Sequence, residues 1–488
     1  MPTEPARTGA GRAPPSNDAV HATANARAHP RPQGRRHRRG GPGFKAGAAA
    51  LDSLNSLLLR RLMPLLILAY VISFIDRTNI ALAKAQMSID LGLSSAAYGL
   101  GAGLFFLSYA ALEVPSNLIM HRVGARFWIT RIMVSWGLLS AGMAWVQGEW
   151  SFYLMRVLLG AAEAGLFPGV MLYLTYWFGL RERARATGYF LMGVCIANIV
   201  SGPLAGALMA LDGLWGWHGW QWMFVLEGLP AVALAAVVWR HLPDGPDTAP
   251  WLTTAQRNLL RLHLARQQVA QDQAMGRPAG GPTGQSLAGS LRQCLHDGQI
   301  WRAIAVYFCH QISIYTVIFF LPGIIGGYGA LSTLQVGLLT AVPWGVAALG
   351  AAVLPQRATT PQRSRRLLWV GLLVMAAGLV VGALGAAYAG PVLAMAGFCL
   401  TALMFFVVQP VLFLFPTSRL SGAALAAGIG LVNTVGLLGG FLGPSVMGLI
   451  EQQTGSTQNG LLIIAVLLVG AALLSRGLRL GGEGREVR

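Results

Sequence analysis

Arg156 and Glu163 stand seven positions apart in an apolar run from Phe152 to Phe178. Such a pair offers two kinds of chemistry: a guanidinium forks onto a carboxylate, and a carboxyl group takes up and releases a proton. A charge at the middle of a membrane helix costs about 2.5–3.5 kcal/mol on insertion scales, so each needs a partner or a function. Their spacing is about 10 Å along a helix and nearly two turns, which puts both side chains on one face. Small residues from Gly160 to Gly165 let a neighbouring helix or a solute approach the backbone. The pair is expected to form one wall of a solute path. A second pair, Asp76 and Arg77, lies in LMPLLILAYVISFIDRTNIALA, which starts at Leu62. Adjacent residues on a helix diverge by about 100°, so these two do not pair with each other, and Arg156 and Glu163 are their expected partners. Asp76 and Glu163 are candidates for carrying protons, and Arg77 and Arg156 for contacting a carboxylate. A buried network that merely locks two helices together is the plainer alternative, although it is often no better than apolar packing of equal volume.

The elements that position these charges follow from composition. The chain is 54% hydrophobic and 11% charged, where a soluble domain has about 25% charged residues. This is the signature of an all-α integral membrane protein. A bilayer core takes roughly 20 apolar residues per helix, and runs of that length predict twelve transmembrane helices. They are placed at 62–83, 96–119, 127–146, 152–178, 186–210, 221–240, 301–326, 334–354, 367–388, 391–415, 422–450 and 459–478. The net charge of +18 does not point to nucleic acid, because the arginines crowd alternate connections. By the positive-inside rule both termini are expected on the cytoplasmic side of a plasma (inner) membrane.

A hydrophilic interval near 242–299 divides the runs into two six-helix bundles, 51–241 and 300–479. Gly202-Pro203 and Gly443-Pro444, and Pro115 and Pro355, recur at separations of 443−202 = 241 and 355−115 = 240, as in a parallel repeat. Pro115 is expected to close span 2 and Pro355 span 8. Residues 1–50 read as a disordered basic cytoplasmic tail, with a transit peptide or a lipid-attracted patch as sharper alternatives. The middle loop is expected to hold a short helix capped by Thr253 or Thr254, then a flexible GRPAGGPTGQS tether; 480–488 form a second tail. The four cysteines suggest neither disulfides nor zinc.

Tyr109 in span 2 is either a packed aromatic or a hydroxyl facing the path. The second half has almost no buried charge; its polar candidates are His310, Gln311, Gln409 and Asn433. Asn433 lies in GIGLVNTVGLLGG, where an interhelical hydrogen bond and a ligand contact are both open.

FIDRTNIALA, EVPSNLIMHRVGARFW, GAAEAGLFPGVMLYLTYWF with RERARA, GWQWMFVLEGLPA with LPDGP, and QPVLFLFPTSRLSGAALAAGIGLVNTVGLLGGFLGP together resemble the anion:cation symporter branch of the major facilitator superfamily. Within it the chain looks most like bacterial tartrate, phthalate and 4-hydroxyphenylacetate permeases. The resemblance implies two bundles rocking around a central site, with uptake of a small organic anion coupled to protons and with the monomer as the working unit. It implies that Asp76 and Glu163 are the protonatable pair, that Arg77 and Arg156 contact substrate or gate the acids, and that Tyr109 and Asn433 line the cavity; Gln409 is a candidate substrate contact on its own polar character. Where sugar-acid carriers have a span 5 glutamine the chain has Val194, which argues against galactonate. A proton-coupled exporter and a non-transporting carboxylate sensor are the other readings. No Ser/His, paired-Asp or metal-ligand constellation and no Walker loop occurs in the sequence, so neither an enzyme, a cofactor nor ATP drive is expected.

Overall fold

A helix satisfies its own backbone hydrogen bonds, which is what an apolar solvent demands of a chain that crosses it. The computed structural model describes residues 42–274, 287–385, 388, 390–420 and 422–480. Among them twelve helical spans are long and apolar enough to cross a membrane. Spans 1 to 6 are Ala49–Leu91, Ser95–Val123, Ala125–Trp145, Glu149–Trp177, Arg185–Met209 and Gly219–His241; spans 7 to 12 are Gly298–Gly326, Thr333–Arg357, Pro361–Leu384, Pro391–Arg419, Ala427–Thr454 and Gln458–Arg476. They form two six-helix halves. No strand occurs among the described residues.

Two boundaries differ from expectation for identifiable reasons. Span 1 is 43 residues long, because the helix runs on through Arg60 and Arg61, where hydropathy fades but buried Leu54, Leu58 and Leu62 keep helical spacing. Pro115 does not close span 2. The helix carries it inside and ends at Gly124, whose φ is +92°. There Asp244 of the LPDGP stretch accepts a hydrogen bond from the Arg126 backbone N–H at 2.8 Å, and Arg126 Nε donates to Leu242 O at 2.9 Å. The basic turn between spans 2 and 3 is thus fastened to the end of span 6.

Span 4 is broken. One helix, Glu149–Glu163, ends immediately before Ala164, and a second, Leu166–Trp177, starts after Gly165, which has φ +94°. Ser116 of span 2 covers the break, donating to the Ala164 carbonyl at 2.7 Å and accepting from Trp128 Nε1 at 2.9 Å. Irregular backbone at membrane depth is tolerated only where protein covers it in this way.

The halves meet through bare backbone. A Cβ built on Gly202 of span 5 would stand 2.3 Å from Gly337 O of span 8. A Cβ on Gly99 of span 2 would stand 2.3 Å from Pro444 O, and one on Gly448 2.2 Å from Ser95 O, where spans 2 and 11 cross. Nearby, Lys84 of span 1 pairs with Glu451 of span 11 at 2.5 Å.

After span 6, Thr253 and Gln256 form a reciprocal cap, each side chain accepting from the other's backbone N–H at 3.2 and 3.0 Å. The helix Thr254–Ala274 follows, with Leu260 buried and Leu262 exposed. The arginine cluster at 35–39, the Gly/Pro stretch at 276–286 and the tail at 481–488 lie outside the described residues.

Candidate functional site

At the centre, the break in span 4 leaves Glu163 as the last residue of its half-helix, aimed at span 1. Its Oε1 accepts from Arg77 Nη2 and from Ser73 Oγ, one helical turn before Arg77. The Arg77 guanidinium lies over three rings, 4.7 Å from the centroid of Phe74, 5.1 Å from Phe105 and 5.1 Å from Tyr109. This contact fits a flat cation that must leave water, since a ring face attracts it without requiring a formal charge. The second half reaches this aromatic cluster through Tyr315 of span 7, whose ring lies 4.2 Å from that of Phe106, itself 5.1 Å from Phe105. Arg77, Glu163 and Tyr109 are therefore brought together.

Asp76 and Arg156 are placed elsewhere, and the expected pairing between them is not made. Asp76 points to span 3, where its Oδ2 accepts from Trp136 Nε1 at 2.8 Å and its Oδ1 from Ser140 Oγ at 2.9 Å. The cause is the divergence of neighbouring side chains on a helix: with Arg77 facing span 4, Asp76 must face away. Arg156 is wholly buried and donates to backbone carbonyls of span 2, from Nε to Gly101 O at 3.2 Å and from Nη2 to Ala102 O at 3.3 Å. Its Nη1 has no hydrogen-bond partner. The Phe105 ring lies 5.0 Å from the Arg156 guanidinium and 5.1 Å from that of Arg77, so one aromatic ring serves both cations.

On the second half, Asn433 Nδ2 donates to Glu113 Oε1 at 3.1 Å and Thr434 Oγ1 donates to Glu113 Oε2 at 3.2 Å. Gln409 Nε2 donates to the Tyr307 hydroxyl at 3.0 Å. His310 is buried, with Nε2 3.0 Å from the Phe405 carbonyl; its ring stacks on Tyr307 at 6.1 Å.

Several participants escaped the sequence reading. Glu113 was obscured because EVPSN looks like the approach to a basic loop. Glu227 of span 6 is buried with neither carboxylate oxygen hydrogen-bonded. Both are acids in apolar surroundings, the same signal that drew attention to Glu163. Ser73 and Tyr315 carry no such signal.

The family description of the Major Facilitator Superfamily matches residues 66–478. The chain is 42% identical over 415 residues to an Agrobacterium vitis protein named as a tartrate transporter, covering 85% of this chain and 92% of that one. It is 38% identical, over 85% of this chain and 92% of the relative, to a protein of Acinetobacter baumannii named as a quinolone resistance transporter. Among solved structures, a D-xylose-proton symporter aligns with a TM-score of 0.67 at 15% identity, covering 86% of this chain and 98% of that one, a likeness that speaks to the fold alone.

Proposed function

The chain belongs to the major facilitator superfamily of membrane transporters, and on that premise we propose that it takes up a small organic carboxylate together with protons by alternating access. One observation carries this reading. The central cation, Arg77, is held by an acid, Glu163, that ends a broken half-helix. An incoming carboxylate and Glu163 compete for one guanidinium, so a proton on Glu163 frees Arg77 for the substrate. Loss of that proton on the far side lets Glu163 reclaim Arg77 and expel its cargo.

The other assigned residues have supporting places in this scheme. Asp76, bonded only to neutral donors on span 3, is assigned as a second proton holder. Arg156, bound to carbonyls one ring away from Arg77, is assigned to keep the site electrically attractive to anions. Tyr109 forms the floor under Arg77, while Asn433 and Gln409 supply neutral contacts from the second half. With the termini on the cytoplasmic side of the inner membrane, as charge bias suggests, the Lys84–Glu451 pair closes the outer face. The A. vitis relative supports tartrate as the first substrate to try.

The test is flux of radiolabelled tartrate and of aromatic acids into proteoliposomes. Accumulation that appears with an inward proton gradient and vanishes with an uncoupler supports the reading; no carboxylate flux in either direction sinks it. A second reading, export, is favoured by the A. baumannii relative. Outward movement of a quinolone against its gradient, with no tartrate uptake, would establish it.

A further inference from the structure

Glu113 has a position that the uptake scheme leaves unused. It lies in span 2, 5% exposed, yet its hydrogen-bond partners are 320 and 321 residues away on span 11. Each of its two oxygens takes a separate donor, the Asn433 amide and the Thr434 hydroxyl. A carboxylate is an acceptor-only group with two oxygens, and a pair of donors spaced to meet both is the neutral counterpart of an arginine fork. No lysine or arginine forms an ion pair with Glu113 among the described residues. The second half thus presents a seat that fits a carboxylate, and the first half fills it.

The seat stands close to the central cation. Tyr109, whose ring lies under Arg77, precedes Glu113 by four residues, about 6 Å of helical rise. Resting on the carboxylate reading above, we infer that Glu113 is an internal stand-in for the second carboxylate of a short dicarboxylate substrate, which binds Arg77 with one end and displaces Glu113 from Asn433 and Thr434 with the other. Displacement undoes a direct polar tie between the halves and replaces it with the substrate. A monocarboxylate satisfies Arg77 and leaves the tie intact. Glu113 is accordingly a specificity residue: a two-headed anion must displace it to bind, and only that displacement releases the tie.

Counterflow into proteoliposomes tests this with tartrate and with tartramate, its half-amide, which keeps the hydroxyls and one carboxylate. Glu113→Gln removes the charge and one acceptor; Glu113→Asp keeps the charge and falls one methylene short of the donors. Both are expected to lower the tartrate KM relative to the tartramate KM by about tenfold, the size of one charge-assisted hydrogen bond. The double variant Asn433→Ala with Thr434→Val is expected to raise the tartrate KM, and adding Glu113→Gln to it is expected to change nothing further. If Glu113→Asp behaves as the wild type while Glu113→Gln lowers both KM values equally, simple charge repulsion accounts for the residue and the inference is overturned. An unmoved ratio in both variants overturns it as well. Wild-type transport of neither anion defeats the functional reading itself, whereas transport of both with an unmoved ratio defeats only the role of Glu113.

Discussion

On the proposed coupling, replacing Glu163 by Gln should separate the proton from the cargo. The substitution keeps the volume of the side chain and an oxygen for Ser73, but it removes the charge that pairs with Arg77. A charge-assisted hydrogen bond contributes about 1.5–3 kcal/mol, against 0.5–1.5 for a neutral one. Arg77 is therefore released by roughly 1–1.5 kcal/mol, about a tenfold gain for a competing carboxylate. The KM for carboxylate exchange should fall by that factor. Accumulation should behave in the opposite way. With one pH unit across the membrane, each coupled proton supplies about 1.36 kcal/mol, enough for tenfold accumulation of a monoanion carried electroneutrally. Wild-type proteoliposomes should approach that value, and Glu163→Gln should equilibrate near unity while exchange continues. If Glu163 were only a structural lock, unpairing a buried Arg77 would cost about 3–5 kcal/mol and would lower thermal stability, exchange and accumulation together. Normal accumulation by the variant refutes the reasoning outright.

Other expectations follow from single contacts. Trp136→Phe removes one of the two hydrogen bonds to Asp76 and should cost about 1–3 kcal/mol, seen as a lower melting temperature of the purified protein. Gly165→Ala places a side chain where φ is +94° and where a Cβ would lie 2.0 Å from Ser116 Oγ; it should cost more than about 1 kcal/mol in stability and depress transport, whereas Gly188→Ala, with open space around its Cβ position, should not. Lys84→Ala breaks a largely buried pair with Glu451, at a cost between the about 1 kcal/mol of an exposed pair and the about 3–5 kcal/mol of a buried one, so labelling of an engineered cysteine beside it should rise by more than about fivefold. An unchanged labelling rate would mean that this pair takes no part in closure.

Twelve spans and a buried acid and base were legible because membrane insertion writes them into the sequence. An apolar run of sufficient length has few alternatives to a spanning helix, and Glu163 or Arg77 inside one is conspicuous by cost. What stayed hidden was direction. Asp76 and Arg77 were seen to diverge, but the helix on which each would land depended on how spans 3 and 4 pack against span 1. Arg156 looked like half of an ion pair, yet carbonyl oxygens satisfy it. No pattern in span 2 marks Gly101 and Ala102 as acceptors, because every residue carries a carbonyl. Glu113 was visible as a letter and invisible as an acid in a membrane, since two residues later Pro115 suggested that the helix had ended. The first turns of span 1 were missed for the converse reason: Arg60 and Arg61 lower the hydropathy without interrupting the helix.

The seam where Gly202 passes Gly337 behaves as a bearing. Interlocked side chains would act as gear teeth, and turning one half against the other would mean lifting each tooth from its socket. Smooth backbone has no teeth, so the seam itself favours no one angle over its neighbours. Preference for a position then comes from polar catches along the seam and away from it, among them Thr333 on Gly206, Tyr98 on Phe319, Lys84 on Glu451, and Glu113 on Asn433 and Thr434. A carrier arranged in this way can be retimed by exchanging a catch while its axle is left untouched.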